Sequence, residues 1–553
     1  MTAQPNHYKR IIGPWTMLFA SVSAIIGSGW LFSGYYSSKL AGPAAIVAWC
    51  LAAVLILIVA FTFAEISSLI PIPGGSSHLP NITHGILVSV VFSWISWLTL
   101  AVIPAIEVQA VLQYAAYFFP WLTSDPNSID TTLSPEGYMV AGLLLILFSV
   151  TNIYSLRFVM RFNSAIAIWK IIIPILAALT LLVLSFHADN FSQTGGFMPY
   201  GWHGVFTAMA TGGIIFAFNG FKNVVELAGE AKNPKRTIPF ALIGSIVVCL
   251  VVYILLQLGF IGAVPATSLT HGWSGLSFPK SSSPLVTLLA MGGSVFILGV
   301  LYIDTLIAPF GAGFIYVTAG SRTLQAMSKN HQMPHPLQWV NEKGIPITAI
   351  LVNLVLNFVF FFPFPGWKLM VDFMTSLMAF SYVLGPVCLL ALRYQLPNRE
   401  RVIKLPFGTL WSFLALYICS LMGYWTGWGV IFKLGIFIVF AVGFYLVYRS
   451  FSKSAREVPL DFKASIWVFV YFSGLILISY LGNFGGGKGY LSFGSDFMVI
   501  ALLTAFSLFL AVKFKVADRL VAERVQLLEE NRLVHKTIVS EPVSGLLKKE
   551  EVI

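Results

Sequence analysis

Apolar stretches long enough to cross a lipid bilayer alternate with short polar loops along most of the chain. A membrane-spanning helix needs roughly 20 apolar residues, and by that criterion the sequence predicts about fourteen spans. They are placed at 12–36, 43–70, 86–119, 138–154, 160–186, 203–230, 238–264, 285–320, 346–364, 369–393, 409–428, 430–448, 464–482 and 496–514. The pattern therefore predicts an all-α polytopic membrane protein.

Lysine and arginine residues are concentrated in alternate loops. The N-terminus and the loops after spans 4, 6, 8, 10 and 12 are basic, whereas the loop after span 3 carries Asp125, Asp130 and Glu136. The positive-inside rule then places both termini in the cytoplasm and favours an even number of spans. We expect a multi-pass protein of the bacterial inner (cytoplasmic) membrane.

Composition agrees with this class and excludes others. The 553 residues are 57% hydrophobic and 10% charged, against roughly 25% charged in soluble domains. The formal net charge of +11 is assigned mostly to cytoplasmic loops, so it does not indicate nucleic-acid binding. The four cysteines lie in apolar runs without a CxxC pattern, and the sequence has no phosphate-binding P-loop motif. We therefore predict a protein that is not an enzyme, has no cofactor or metal, and is driven by an ion gradient or by exchange.

The sixth span is interrupted at a depth where a membrane helix should be regular. The segment 211–239 begins as an apolar helix, breaks at the sequence FNGF (218–221) and continues with Lys222. Gly220 can leave helical backbone angles at little steric cost, and Asn219 can hydrogen-bond backbone groups that the break frees. In a bilayer, an unwound backbone is tolerated only where protein or a water-filled cavity satisfies it. This segment is therefore predicted to form half of a buried binding site.

Span 1 has a comparable interruption at Gly27-Ser28-Gly29. Each glycine weakens a helix by roughly 1 kcal/mol relative to alanine, although small residues also serve close helix packing in membranes. The two interruptions lie five spans apart, and an odd number of spans per repeat inverts the second repeat in the membrane. Paired interruptions in corresponding spans indicate a transporter site at the repeat interface.

The chemistry of a broken helix suits a zwitterion. The N–H groups freed at the start of the second half-helix, together with its dipole, favour an anion such as a carboxylate. The carbonyl groups at the end of the first half-helix favour an ammonium group. An α-amino acid is the simplest molecule that carries both groups.

Four sequence elements resemble those of the amino acid–polyamine–organocation (APC) transporter superfamily. They are IIGSGWLF in span 1, AEISSLIPIPGGSSHLP at the end of span 2, FAFNGF followed by ELAGEAKNPKRTIP in span 6, and SRTLQAMSKNHQMPHP after span 8. The resemblance covers about residues 10–400. It implies a LeuT-like five-plus-five inverted repeat with broken spans 1 and 6, and here four further spans follow.

On this basis the chain divides into four parts. The first is a transport core (1–400), which contains repeats at about 12–186 and 203–393. It is followed by spans 11–12 (401–450), a two-span extension (451–515) and a cytoplasmic tail (516–553). The first part of the tail spaces its apolar residues like one face of a helix. We expect a short helix packed on the cytoplasmic face, and a regulatory or oligomerisation role is the alternative.

The two breaks and the resemblance together yield the candidate binding residues. Expected to contact substrate are Ile26, Gly27, Ser28, Gly29, Phe216, Phe218, Asn219, Gly220 and Lys222. The aromatic side chains of Trp30 and Phe216, which flank the breaks, are expected to gate the site. Trp30 departs from the family pattern, which usually has a small aliphatic residue at this position.

Lys170 in span 5 is a candidate for ion coupling. An amine inside a span costs roughly 2.5–3.5 kcal/mol on insertion scales, so a functional partner is the default hypothesis. The resemblance implies more, because in proton-coupled members a lysine of span 5 matches this position and lies beside the span 1 break. We therefore expect Lys170 to couple transport to protons. The alternative is a lysine that snorkels to the cytoplasmic interface near Arg161.

Lys222 directly follows the span 6 break, where many members of the family carry an acidic residue. A fixed cation there would repel cationic substrates and attract a side-chain carboxylate, by about 4 kcal/mol at roughly 4 Å and an effective dielectric constant of about 20 before desolvation. The alternative is a structural ion pair with a buried acid, either Glu107 or Glu226. Asp304 in span 8 can pair with Lys170 or Lys222, or relay a proton.

These expectations combine into a proton-coupled secondary transporter that takes up an acidic amino acid, aspartate or glutamate, by alternating access. The chain is similar to the aspartate–proton symporters of the superfamily, which favours the same substrates. A neutral amino acid permease or an amino acid exchanger is the nearest alternative, and a channel or membrane sensor is a remote one. The expected partners are the amino acid, protons and the lipid bilayer, with no nucleic acid and with homo-oligomerisation left open.

Overall fold

The computed structural model describes residues 12–70, 75–154, 156–228, 231–278, 283–293, 295–401 and 403–526, which are almost entirely helical. The helices are α1 (Pro14–Ile25), α2 (Gly29–Ala41), α3 (Ala45–Leu69), α4 (Gly75–His84), α5 (Ile86–Ala101), α6 (Ile103–Ala115), α7 (Pro135–Tyr154), α8 (Leu156–Leu184), α9 (Gly201–Thr211), α10 (Ile214–Ala217), α11 (Asn223–Glu226), α12 (Pro234–Ala263), α13 (Pro284–Met291), α14 (Val295–Lys329), α15 (Ile347–Phe360), α16 (Trp367–Tyr382), α17 (Leu384–Gln395), α18 (Gly408–Tyr424), α19 (Trp428–Phe451), α20 (Lys453–Glu457), α21 (Phe462–Leu481) and α22 (Ser495–Lys513).

The membrane-spanning character of these helices follows from their length and apolar composition. Within the described residues, 10 helical stretches are long and apolar enough to cross a membrane, and the shorter apolar helices α1, α15 and α18 lie at predicted spans 1, 9 and 11. Span 6 is divided into pieces that are too short to qualify by length. The predicted all-α polytopic fold is therefore confirmed.

Span 6 is divided more finely than the sequence suggested. It was expected as one helix over 203–230 with a single break, but it consists of α9, α10 and α11. The additional interruption lies at Gly213, whose φ is +84°. A Cβ at Gly213 would lie 2.6 Å from the Ser33 hydroxyl, so the close approach of α2 favours glycine here.

Span 8 also differs from the predicted range 285–320. Its first part is the separate helix α13, which ends before Gly293, and Gly293 has φ +76°. The spanning helix α14 therefore begins and ends later in the chain than the hydropathy pattern indicated. Hydropathy alone could not separate the two helices because both are apolar.

The two broken spans lie at the centre of the bundle. Helix α1 packs against α8, α12 and α14, while α2 packs against α9, α10 and α12. Helix α16 contacts α5, α6, α9 and α10, so span 10 lies against both span 3 and span 6. We call the end of the bundle that holds Arg393 and Arg401 the basic end, and the opposite end, with Asp125, Asp130 and Glu136, the acidic end.

Spans 13 and 14 are packed closely on the transport core. Trp467 of α21 stacks on Phe92 of α5, with ring centroids 5.7 Å apart. The Tyr471 hydroxyl lies 2.9 Å from the hydroxyl of Ser420 in α18, and Phe472 contacts Phe380 of α16. The extension therefore supports spans 3, 10 and 11 through buried aromatic contacts.

The start of the tail folds back onto helix α4. The Val516 amide donates to the Thr83 carbonyl at 3.0 Å, and the Gln395 side chain donates to the carbonyl groups of both residues. Residues 518–526 are helical, with Val521 and Val525 buried. The tail helix predicted from the apolar spacing is thus packed on the basic end as far as the structure describes it.

Glu65 lies at the centre of a charged cluster at the basic end. Its fully buried carboxylate accepts two hydrogen bonds from the Arg393 guanidinium, at 3.0 and 2.7 Å, and one from the Leu405 amide at 2.8 Å. The Arg401 guanidinium lies 3.5 Å from the same carboxylate. The cluster joins span 2 to span 10 and to the loop that follows span 10.

We expect Glu65→Gln to lower the free energy of unfolding by about 3 kcal/mol, because removing one partner leaves buried guanidinium charge uncompensated. Thermal unfolding of the purified protein should show a midpoint several degrees lower. Glu400→Gln is the matched control, because its pair with Lys235 is 3.8 Å long and exposed, and exposed pairs contribute little. Equal midpoints for the two variants would contradict the structural role of Glu65.

Candidate functional site

The break in span 1 covers the three residues between α1 and α2. Ile26 is extended, with φ −80° and ψ 90°, and the Gly27 amide turns back to the Ile25 carbonyl at 3.0 Å. The Ser28 amide points away from α1 and donates to Glu107 at 2.8 Å. The backbone N–H groups of the first turn of α2 come directly after Ser28 in the chain. First-turn N–H groups have no hydrogen-bond partner within their own helix.

The break in span 6 lies between Ala217, which ends α10, and Asn223, which starts α11. Gly220 has φ +115°, a conformation that residues with a side chain rarely adopt. The Tyr253 hydroxyl of span 7 donates to the Ala217 carbonyl at 2.8 Å, and the Ser21 hydroxyl lies 3.5 Å from the Gly220 carbonyl. Side chains of neighbouring spans therefore satisfy carbonyl groups that the break frees.

The two breaks touch through their backbones. A Cβ at Gly29 would lie 3.0 Å from the Ala217 Cα, and a Cβ at Gly220 would lie 2.7 Å from the Ile25 nitrogen. Both contacts are with main-chain atoms, which cannot rotate away as a flexible side chain can. The structure thus brings the predicted halves of the site together, with Gly29 and Gly220 at the points of closest approach.

Glu107 of span 3 lies at the span 1 break. Its buried carboxylate accepts from the Ser28 amide, and one of its oxygens would be 2.5 Å from a Cβ at Gly27. The sequence raised Glu107 as a partner of Lys222. In the structure this carboxylate instead occupies the start of α2, where a substrate carboxylate is expected.

Lys170 is fully buried beside the same break. Its ammonium group donates to the Ser23 carbonyl of α1 at 2.8 Å and packs against Gly311 of span 8. Two carboxylates attract it, those of Glu107 and Asp304. Its burial places the ammonium group inside the bundle, whereas a snorkelling lysine would hold it at the interface.

Asp304 of span 8 belongs to this group of charges. Its side chain is fully buried, next to the indole of Trp169. The electrostatic partner that the structure assigns to it is Lys170. Lys170, Glu107 and Asp304 are therefore three buried titratable residues, from spans 3, 5 and 8, and Lys170 interacts electrostatically with both acids beside span 1.

Lys222 faces a different set of groups. Its ammonium group lies 3.4 Å from the Ser96 hydroxyl and 3.4 Å from the Ser381 carbonyl. It also lies over the rings of Phe63 and Tyr382, at 5.7 and 5.9 Å from their centroids. The side chain of Glu226, the other acid considered for Lys222, lies outside the described residues.

A small cavity, most of whose lining residues are polar, adjoins Lys222 and the span 6 break. Its walls are Ser96, Thr99, Leu100, Asn219, Gly220, Lys222 and Asn223. Its volume is about 10 Å³, which is room for roughly one water molecule. An amino acid side chain would fit only if these residues moved apart.

Trp367, at the start of span 10, covers the span 1 break on the acidic side. Its indole donates to the Ser28 hydroxyl at 3.0 Å, and its ring stacks on Phe32 with centroids 4.5 Å apart. Phe216 meets the same indole edge to face at 6.0 Å. Phe216 thus lies where a gate was expected, but Trp367 is its partner.

Three further predicted contact or gate residues, Phe218, Trp30 and Ile26, are buried side chains at or next to the breaks. Phe218 packs edge to face against Trp49 and Tyr253, so its ring faces spans 2 and 7. Trp30 is buried, and among the described residues its indole N–H has no hydrogen-bond acceptor. Ile26 is also fully buried at the turn of the break.

Sequence reasoning missed Trp367 and Tyr253, which complete the site. Trp367 follows Gly366 at the boundary of a predicted span, where aromatic residues are common for interfacial reasons. Tyr253 is one tyrosine within the long apolar run of span 7. A hydroxyl at mid-membrane depth is a signal in retrospect, because a buried polar group needs a partner.

The histidines of α4, which lies outside the spanning helices, do not qualify as proton carriers. Burial lowers the pKa of His84 to about 4. Burial, with a smaller contribution from Lys329, lowers the pKa of His78 to about 4. Both side chains are therefore neutral at physiological pH.

Two broken helices that touch at their breaks, with buried titratable residues beside them, are the arrangement typical of a multi-span membrane transporter. The chain belongs to the amino acid permease family, whose model matches residues 12–426. It is 33% identical over 509 residues to the glutamate/serine transporter AimA of Bacillus subtilis (strain 168), an alignment that covers 90% of this chain and 93% of that protein.

Other relatives extend the comparison. The aspartate-proton symporter of the same organism is 31% identical over 508 residues, covering 91% of this chain and 96% of the relative. The branched-chain amino acid permease BcaP, also from Bacillus subtilis, is 25% identical over 475 residues, covering 82% of this chain and 96% of that protein. The chain is thus a permease and not an enzyme.

Proposed function

We propose that this permease is a secondary active transporter that takes up an acidic amino acid, aspartate or glutamate, together with protons. The observation that carries the proposal is the contact between the two broken helices, with Lys170 bound to the Ser23 carbonyl beside them. The names of the two most similar relatives reported above, a glutamate/serine transporter and an aspartate-proton symporter, support the same substrates and coupling.

The amino and carboxyl groups of the substrate would bind at the breaks. The N–H groups that open α2 favour the α-carboxylate, which would take the place of the Glu107 carboxylate on the Ser28 amide. Carbonyl groups at the ends of α1 and α10 favour the ammonium group. Trp367 and Phe216 would move to admit the substrate and then return, which excludes water from the site.

Proton coupling is assigned to the cluster of Lys170, Glu107 and Asp304. Protonated Lys170 holds the end of α1 through the Ser23 carbonyl, much as a bound cation would. When Lys170 loses its proton, the attraction to Glu107 and Asp304 disappears, and span 1 is held less firmly. Binding of substrate and of a proton would thus be linked through the same half-helix.

The acidic preference rests on Lys222. It is the basic residue that lines the cavity beside the span 6 break, and a substrate that extends toward this cavity would bring a side-chain carboxylate close to it. An amino acid exchanger or a neutral amino acid permease is the second candidate. Serine in the name of one relative favours the neutral alternative, and a channel or sensor would show no stoichiometric counterflow.

The proposal includes topology and location. The basic end would face the cytoplasm of a bacterial cell, with both termini on that side and the protein in the inner membrane, as the positive-inside rule predicts. Repeats over about 12–186 and 203–393 would form the transport core within 1–400. Spans 11–12, the extension 451–515 and the tail from 516 onward would support it.

Uptake into proteoliposomes tests this function directly. Purified protein should accumulate labelled aspartate or glutamate when the external solution is more acidic than the lumen, with or without sodium. Unlabelled amino acids added in excess should rank the substrates by competition. A requirement for sodium would reject proton coupling, and accumulation of neutral amino acids alone would reject the acidic preference.

Lys222→Met should separate acidic from neutral substrates. We expect kcat/KM for aspartate to fall at least about tenfold relative to serine, because an unscreened ion pair in a partly desolvated site is worth more than roughly 1.4 kcal/mol. Lys222→Arg, which keeps the charge, serves as the control. A parallel loss for both substrates in Lys222→Met would favour a structural role for the lysine.

A further inference from the structure

An ion pair between Lys368 and Asp372 lies next to the site, toward the acidic end. The Lys368 ammonium group contacts both carboxylate oxygens of Asp372 at 2.6 Å, one helical turn along span 10. The two side chains are 24% and 17% exposed, so solvent reaches them. Lys368 also lies over the ring of Tyr36, 5.6 Å from its centroid.

The pair is connected to the two half-sites. Lys368 directly follows Trp367, whose indole holds the Ser28 hydroxyl. The ring of Tyr36 stacks parallel to that indole at 5.9 Å, and its hydroxyl donates to Asp130 at 2.8 Å. Displacement of Lys368 would therefore disturb Tyr36 and the tryptophan that covers the break.

Charge around the pair is predominantly negative. Asp130, from the loop after span 3, accepts a hydrogen bond from Tyr36 and acts electrostatically on Asp372, so two carboxylates from separate elements lie near Tyr36. Lys368 offsets their mutual repulsion while the pair is intact. The Lys368 ammonium group carries the positive charge that pairs with Asp372. A solute carboxylate would therefore be attracted to it.

We propose that Lys368 is a first, transient carboxylate site on the access route, where the side-chain carboxylate of an acidic amino acid displaces Asp372. The exchange breaks one ion pair and forms another, so it requires no proton or redox partner. Asp372, released beside Asp130, is repelled and draws the start of α16 away from Tyr36, which loosens Trp367 over the break. This inference rests on the proposed uptake of acidic amino acids.

The chemistry favours a carboxylate over other solutes. Neither a cationic nor a neutral side chain could replace Asp372 as the counter-ion of the Lys368 ammonium group, whereas a side-chain carboxylate could. Bidentate contact in a partly exposed pair is strong enough to orient a ligand but weak enough to exchange. Lys368 would therefore increase the rate at which the substrate is first bound, before the substrate reaches Lys222.

Lys368→Met tests the site in proteoliposomes. We expect kcat/KM for aspartate to fall about fivefold at low ionic strength, with the maximal rate little changed, and the dependence on ionic strength to flatten because the capturing charge is gone. Lys368→Arg should keep both properties. Lys488→Met is the matched control, because Lys488 lies over Tyr480 at 5.9 Å in the loop between spans 13 and 14.

A swapped pair distinguishes capture from mere structural support. Lys368→Asp combined with Asp372→Lys retains an i,i+4 ion pair but moves the cation away from Tyr36. If the pair is only structural, the swap restores aspartate kcat/KM and its salt dependence, and this result would overturn the proposal. An unchanged salt dependence in Lys368→Met would also overturn it, provided that thermal unfolding shows a folded protein. If the wild-type protein carries no acidic amino acid at all, the proposed function fails first and this site fails with it.

Discussion

Lys170→Ala abolishes accumulation of substrate driven by a pH gradient, while counterflow of labelled against unlabelled substrate continues at a reduced rate. This is the expected result because the Lys170 ammonium group is the cation that holds α1 through the Ser23 carbonyl. In the proposed coupling, Lys170 is the group that gains and loses the proton, so without it a proton gradient would no longer bias the position of span 1. The accumulation ratio in proteoliposomes should fall to about one, the value for a carrier with no energetic coupling.

Lys433→Ala provides the control for Lys170. Lys433 is also a lysine in an apolar helix, span 12, but it lies over the ring of Phe364 at 5.2 Å, on an exposed surface and away from the breaks. Its removal should leave pH-driven accumulation intact. Lys170 would be excluded as the coupling group if Lys170→Ala still accumulated substrate against its gradient at the wild-type ratio.

Gly220→Ala should have an effect of similar size through a different cause. The added methyl would lie 2.7 Å from the Ile25 nitrogen and 2.8 Å from the Ala24 carbonyl carbon, and the backbone there has φ +115°. Strain and overpacking each cost roughly 1–3 kcal/mol. We expect transport to fall at least about tenfold, with a lower midpoint of thermal unfolding, since about 1.4 kcal/mol corresponds to each factor of ten.

Gly443→Ala is the natural comparison, because Gly443 lies within helix α19 and a Cβ there would meet no atom within 4 Å. Alanine in a helix interior is more favourable than glycine, so that variant should be as stable as the wild type or slightly more stable. If Gly220→Ala behaved in the same way, the close backbone contact between spans 1 and 6 could not be essential.

The sequence predicted those features that a single helix encodes. The apolar pattern located the spans, and Gly27, Gly29 and Gly220 marked the breaks because glycine inside an apolar run weakens the helix locally. Lys170 was recognisable as a buried charge from its depth in span 5. These signals are local, so they can be read without knowing what the helix packs against.

Features that depend on distant partners were not predictable in the same way. Trp367 resembles other aromatic residues at the ends of membrane spans, and the hydroxyl of Tyr253 indicates only that a partner is needed. The positions of both residues at the breaks depend on how spans 7 and 10 pack against spans 1 and 6. Glu107 was identified as a buried acid, but its position on the Ser28 amide depends on how span 3 packs against span 1. Hydropathy also could not separate α13 from α14, because both helices are apolar.

The contact between Glu107 and the Ser28 amide has a consequence for turnover. In the proposed cycle, the transporter must return to its starting conformation without bound substrate. An unpaired backbone amide in the dry interior would raise the free-energy barrier to that return. In that cycle Glu107 would compete with the substrate carboxylate and occupy the Ser28 amide during the return. The same contact would weaken the apparent affinity, because the substrate would first have to displace Glu107. Retention of Glu107 would thus favour rapid cycling and net accumulation over tight binding, the property that distinguishes a nutrient importer from a binding protein.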